Sequence, residues 1–414
     1  MVWSDSHHED VINAPGLETS TETRVLLLSA RMALDIKHEG LLAELLADGL
    51  DWTQLTELAL RHQVLPLVAA ALTARHHDNM PPRVAAHLID YTRAHAVKNL
   101  ALATELIEIL DAFERSRIPA FPYKGPALAV AAYGSLRHRT FGDLDILVQK
   151  HEFLRAKAVL EGMGFQSTAS LASSNRHYLR HLSAHAFRRG ETLVDLQWAS
   201  TYLKALSIPM DEDFWENTQV VEIAGRAVPA LAPEVLFLFL CAHGARHHWN
   251  RLKWLCDITE MVRSHPDLDW DRIRARAHDV GAQRVLDMSV IMARTLLDAP
   301  LPEDVLLSAG GDAVASRLAT TAAADLLASG LDLPADGNAR LRFTLSMKER
   351  WRDRFRYLAQ YVTQPMETDY QSLALPRPLW FLYPIVRPMR IVGRRIIRRA
   401  RSEPPETAGN ADRN

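Results

Sequence analysis

Apolar positions recur at helical spacing through the first quarter of the chain. Leu41, Leu42, Leu45 and Leu46 form one stripe, and Leu55, Leu58, Ala59 and His62 form another. Pro81-Pro82 separates two helices, and Pro82 suits the first turn of a long helix running from about Arg83 to Arg115. Strand signal is scarce until Ile118. From there to Tyr123 a short strand fits, and its two prolines place it at a sheet edge. Gly125 ends that strand, and Ala127 to Tyr133 suits a short helix. Asp143 to Val148 reads as a second strand, internal because Ile146, Leu147 and Val148 are all apolar. A helix follows over Glu152 to Met163, closed by Gly164. Ala184 to Arg188 and Thr192 to Trp198, joined at Arg189-Gly190-Glu191, predict a hairpin. Helices return from Ala232: Pro233 to His243 is apolar almost all round, Trp254 to Val262 is a further helix, residues 270–330 alternate helices with Gly and Pro breaks, and Arg340 to Thr363 predicts a last long helix.

The predicted organisation is α+β. A small mixed-sheet core over residues 116–200 sits between an N-terminal helical segment (21–115) and a C-terminal helical domain (201–335). A long helix and a basic amphipathic segment (336–401) follow, with disorder predicted for residues 1–20 and 402–414. A length of 414 residues predicts two or three domains, and 48% hydrophobic content supplies sizeable cores. The net charge of −2 argues against a general nucleic-acid binder. The two cysteines, Cys241 and Cys256, are too few for a disulfide framework and fit a reducing compartment. The start of the chain is polar and acidic, and no run of about 18 apolar residues occurs, so a cytoplasmic protein is expected.

The chemistry concentrates in Tyr123-Lys124-Gly125-Pro126-Ala127-Leu128 and Gly142-Asp143-Leu144-Asp145. Side chains alternate along a strand, so Asp143 and Asp145 share one face while Leu144 enters the core. Two carboxylates side by side repel unless a cation lies between them, and a divalent metal that also holds a triphosphate meets that need. In the hairpin's second arm Leu193, Asp195 and Gln197 share one face. The helix after Gly125 offers unpaired N–H groups to an anion.

These residues resemble the polymerase beta-like nucleotidyltransferases, and within them the large bacterial group of uncharacterised nucleotidyltransferases. The resemblance is carried by Lys124-Gly125, Ala127-Leu128, Tyr133, Arg139, Asp143, Asp145, Gly164-Phe165, Asp195 and Trp198. It extends upstream to Leu58-Ala59, His62 and Val64-Leu65-Pro66, and downstream to His243, Trp249, Arg251-Leu252, Trp254-Leu255 and Asp257-Ile258. It implies transfer of an NMP, with AMP from ATP favoured, to a hydroxyl or phosphate of an unnamed acceptor. Asp143, Asp145 and Asp195 would be the catalytic residues and would hold two Mg²⁺ ions. Lys124, Gly125, Arg139, His243 and Lys253 would meet the nucleotide. Lys124 either neutralises a phosphate or is an exposed strand-end lysine, and Arg139 either contacts phosphate or pairs with a carboxylate. Tyr133 is expected to pack under the turn, and Asp257 to pair with a nearby cation. Pro126 replaces the Ser or Gly of many relatives, and Gln197 stands where relatives often carry His.

Two rival readings remain from the residues. A catalytically inactive, antitoxin-like binding module is one. A glycosyltransferase using Asp-x-Asp is the other, disfavoured because one strand alone precedes the motif. His243 and His247 have the i, i+4 spacing of a zinc chelate, but Gly244 follows His243 where a Glu would be needed, and no Cys lies at ligand spacing. From Met389 to Arg401, Met389, Val392, Gly393 and Ile396 fall opposite Arg390, Arg394, Arg395, Arg398 and Arg401. That pattern suits either a peripheral membrane or acidic-partner contact, or docking on the body of the protein.

Overall fold

A computed structural model describes residues 19–168, 183–198, 212–328, 337–363, 373 and 375–390. Five helices open it: α1 (Thr21–Ser29), α2 (Ile36–Ala47), α3 (Trp52–Arg61), α4 (Leu65–Arg75) and α5 (Pro82–Arg115). The Asp35 and Asp51 side chains cap α2 and α3 by accepting backbone N–H groups. The 34 residues of α5 span about 50 Å. Its first turns pack Ala85 and Leu88 into one core, and its last turns pack Leu106, Ile109 and Phe113 into another.

The second core belongs to the sheet. Strands β1 (Ala120–Pro122), β2 (Asp143–Val148), β3 (Gln166–Ser167), β4 (Ala184–Arg189) and β5 (Thr192–Gln197) lie in the order β1-β2-β5-β4-β3. The proline-bearing β1 is at the edge, as its sequence predicts. β2 and β5 are parallel neighbours, and the other pairs are antiparallel. Helices α6 (Gly125–Tyr133) and α7 (Phe153–Gly162) intervene. Leu144, Ile146, Val194 and Leu196 point to one face and are fully buried with α5 and α7. The other face carries the carboxylates.

A short helix, α8 (Glu212–Glu216), leads into a hairpin the sequence reading missed, β6 (Thr218–Ile223) and β7 (Arg226–Leu231). Its two-residue turn, Ala224-Gly225, has positive φ at both positions, which matches the twist of tight hairpins. The signal was present, but Ala in place of Asn weakened it. Helices α9 (Pro233–Arg246), α10 (Leu252–Ser264), α11 (Trp270–Val280), α12 (Gln283–Leu297), α13 (Glu303–Gly310) and α14 (Ala313–Leu327) follow. They share one continuous core with α1 to α4, from Val25 and Leu72 to Phe237, Met288 and Leu326.

The long helix expected over Arg340 to Thr363 is instead two, α15 (Gly337–Ser346) and α16 (Trp351–Thr363). Arg284 lies at the break: its Nη1 donates to the Ser346 carbonyl, while its backbone N–H donates to Glu349 Oε1 at 2.6 Å. Met347 and Lys348, between the two helices, are buried. The basic segment Met389–Arg401 lies outside the described residues beyond Arg390. Among the described residues no helix is long and apolar enough to cross a membrane.

Candidate active site

A cleft of about 350 Å³ opens between the polar face of the sheet and the helices above it. Lys124, Gly125, Asp143 and Asp145 form its floor, and His243, His247, Asn250, Lys253 and Trp254 form its roof, joined by Gln63. The floor is set by backbone geometry. Gly125 sits at φ +54, and a Cβ there would press on the Asp143 carbonyl oxygen at 3.2 Å. Glycine suits both the left-handed backbone and the tight approach of the start of α6 to β2.

In the parallel pair, Asp145 is directly opposite Asp195, as Asp143 is opposite Leu193. Gln197, two residues along β5, donates its Nε2 to Asp145 Oδ1 at 3.2 Å and to Asp195 Oδ2 at 2.7 Å. It ties the two strands' carboxylates together. Lys124 Nζ donates to Asp145 Oδ1 at 2.9 Å, and both side chains are buried. Tyr123 hydroxyl lies 3.4 Å from the same oxygen. Burial, and next the Asp145 charge, push Asp195 up to about 6. The same two causes raise Asp143, with Lys124, Lys253 and Arg139 opposing. The floor therefore carries more negative charge than its own cations balance, the condition that favours a bound cation.

Asp143 and Asp145 line the cleft; Asp195 stands one strand over. The three do not pack into a tight ligand cluster. Among the described residues, the one trio of acidic, His or Cys side chains whose ligand atoms lie within 4.8 Å of one another is Asp35, His38 and Asp298, far from the motif. That trio is an ion-pair network: Asp35 accepts the His38 backbone N–H, and Arg294 Nη1 donates to Asp298 at 2.5 Å. The Arg31 guanidinium beside it adds positive charge. A further cation is not called for there.

Arg139 is where both of its readings can be compared. Its Nε and Nη2 clasp Asp257 at 2.7 and 2.9 Å, and Tyr133 hydroxyl donates to Asp257 Oδ1 at 2.8 Å. It pairs with a carboxylate, but with the one on α10 rather than either in the floor. Tyr133 is buried as expected, and Asp257, also buried, has its cation. One turn before Asp257, Lys253 and Trp254 project into the cleft, so this bond network fixes the roof against the floor.

The roof is neutral where its histidines lie. Burial lowers His243 well below its ordinary value, with Lys124 and His247 adding repulsion, and it lowers His247 to about 4. His247 stacks on Trp254, ring centres 4.7 Å apart, and His243 meets both rings edge-on. The two histidines are an aromatic wall, with no third ligand beside them among the described residues. Gly244 answers a packing need, since a side chain there would collide with the buried Trp249 indole. Lys253 faces Asp143 and Asp257, and burial lowers it to about 8. Gln63, Gln197, Asn250 and Trp254 join the site without having been singled out as ligands, and His247, weighed only as a zinc ligand, joins it as part of the aromatic wall. Gln197 was legible from its shared face with Asp195, but Gln63 carried no chemical signature.

A larger cavity of about 430 Å³, between α5, β1 and β7, is lined mainly by Leu110, Ile118, Phe121 and Pro229 and holds no paired carboxylates.

No curated protein matches the chain. Two solved structures of the antibiotic-resistance factor ANT(2'')-Ia are similar to part of it. The solution structure is 16% identical, with a TM-score of 0.31, covering 43% of this chain and 90% of that one. The crystal structure in complex with adenylyl-2''-tobramycin is 17% identical, with a TM-score of 0.33, covering 44% and 97%. The family model described as uncharacterised nucleotidyltransferase matches residues 48–298, more than half of the chain, from the start of α3 through α12. On that match, this α+β chain belongs to the uncharacterised nucleotidyltransferases, a family of transferases.

Proposed function

We propose that this protein catalyses Mg²⁺-dependent transfer of an NMP, AMP from ATP, to a hydroxyl or phosphate of an acceptor. The observation that carries the reading is the parallel register of β2 and β5. It sets Asp195 level with Asp145 and two residue pairs along from Asp143. The donor set suits Mg²⁺: carboxylate oxygens throughout, two of them with raised proton affinity that a cation would relieve. Asp143, Asp145 and Asp195 are the residues to hold two ions. When bound, Mg²⁺ neutralises triphosphate charge and stabilises the attacking and leaving oxygens.

The chain's own residues supply the rest. Lys124 and Lys253 bring positive charge from the floor and the roof, and the N-terminus of α6 presents N–H groups to phosphate oxygens. Arg139 serves by holding α10 through Asp257. His243, His247 and Trp254 exclude water from one wall. The acceptor oxygen attacks the α-phosphorus, the bond from that phosphorus to the bridging oxygen breaks, and pyrophosphate leaves. Asp195 would take the acceptor's proton, and at about 6 it is mostly ionised at neutral pH. Most of the rate comes from positioning and charge neutralisation.

Titration calorimetry tests the reading. The parent protein should bind ATP in a Mg²⁺-dependent manner, and Asp143→Asn combined with Asp145→Asn should abolish it. Equal binding by the double variant would overturn the assignment.

A further inference from the structure

We propose that Gln63 is a positioning residue of the nucleotide site, which aims the Lys253 ammonium at the phosphates. This rests on reading the cleft as a nucleotide site.

Gln63 follows α3 at φ +58, a left-handed conformation uncommon for a residue with a side chain. Helix α3 ends there with Gln63 N–H donating to Leu60 O at 3.0 Å and Val64 N–H to Ala59 O at 2.9 Å. The turn lies against the start of α10. Lys253 N–H donates to His62 O at 3.3 Å, Leu252 N–H donates to His62 Nδ1 at 3.2 Å, and Arg251 Nη1 donates to Arg61 O. Those bonds join the two turns without the Gln63 side chain. Its Oε1 makes a separate contact, accepting from Lys253 Nζ at 2.9 Å. Both side chains line the cleft with Asp143 and Asp145.

The choice of an amide matters. A carboxylate at this position would neutralise the ammonium. A neutral carbonyl oxygen takes one of its three N–H donors, orients it, and leaves two donors and the full charge for phosphate oxygens. Asp143 and Asp257 favour the charged lysine, while Arg139 and Lys124 oppose it. With burial also opposing the charge, the hydrogen bond from Gln63 bears on how much of Lys253 stays protonated. The N-terminal helices would thus contribute to the site through one side chain.

The test uses the full chain with Mg²⁺ and ATP, measuring Kd by calorimetry between about pH 6.5 and 9. In the parent protein affinity should fall as pH rises through about 8, as Lys253 loses its proton. Gln63→Ala should weaken binding roughly 10-fold or more at neutral pH and move the alkaline fall to lower pH. Gln63→Glu should move that fall to higher pH, and Lys253→Met should remove it. If Gln63→Ala binds ATP with the parent's affinity and pH profile, the inference is wrong. Should Gln63→Ala not fold, an alkaline limb unmoved in Gln63→Glu overturns it equally. A parent protein that binds no ATP with Mg²⁺ overturns the nucleotide site itself, and this inference with it.

Discussion

The floor and the roof of the cleft are held in place by different means. On the floor, Asp143, Asp145 and Asp195 are placed by strand pairing, and Gly125 by a left-handed backbone and an approach that would crowd a Cβ. On the roof, Lys253 and Trp254 project from a helix whose distance from the sheet is kept by side chains, Arg139 and Tyr133 on Asp257. On the proposed reading Asp143 serves the chemistry and little of the fold, whereas Asp145 also pairs with the buried Lys124 ammonium. The roof's buried partners carry fold and, through it, geometry. Replacing Asp143 and replacing a roof carboxylate should have opposite signatures.

The largest effect is expected on the floor. Asp143→Asn or Asp145→Asn should lower transfer roughly 1000-fold or more, since the charge stabilisation lost is several kcal/mol. For Asp143→Asn, thermal unfolding without metal should show an unchanged or higher midpoint, because burial, and next the Asp145 charge, disfavour its ionised form. A midpoint that drops sharply would mean this carboxylate is structural. Asp257→Ala should do the reverse. It leaves the Arg139 guanidinium buried without its partner, which costs about 3–5 kcal/mol, read as a lowered midpoint in chemical or thermal unfolding. A stability change under about 1 kcal/mol would show that the network does not hold the roof.

The same contrast explains what could be read from the sequence. Strand period, and the glycine before the Asp143/Asp145 pair with an apolar run after it, are local patterns, so Asp143, Asp145 and the Thr192–Gln197 arm were all legible within a few residues. Arg139 and Asp257 are 118 positions apart, and nothing local says which cation meets which carboxylate. Only the expectation that each would find a partner was available. Gln63 lay between two matched segments, Leu58-Ala59 to His62 and Val64 to Pro66, and was passed over because an amide signals no chemistry until its neighbour is known. Arg284, at the split between α15 and α16, lies more than 60 positions upstream of Ser346. The helical period simply runs on across it.

Gly125→Ala lies between the two extremes, because it touches floor geometry through the backbone. A methyl group at φ +54 is strained, and the Asp143 carbonyl oxygen 3.2 Å away would have to give by a few tenths of an ångström. About 1–3 kcal/mol of stability should be lost, together with a displaced Asp143 and weaker Mg²⁺-dependent ATP binding. If binding survives while stability falls, the close approach serves packing alone and the turn is not part of the nucleotide site.

The smallest effect tests the electrostatics of the floor directly. Asp195 is raised from 3.8 to about 6 in the folded protein. The fold therefore binds its proton more tightly than the unfolded chain does. The stability this contributes is complete below about pH 4 and is lost as pH rises through about 6. Because Asp195 is only partly buried and water screens it, the change should be about 1–2 kcal/mol. Mg²⁺ competes with that proton, so its stabilising effect should be absent near pH 4 and grow as pH passes 6. Asp195→Asn should flatten both the pH dependence without metal and the metal's added increment. If the parent protein keeps the same midpoint across this range with and without Mg²⁺, Asp195 is not the proton-loaded neighbour of Asp145 that the strand register makes it, and the floor would lose its third carboxylate.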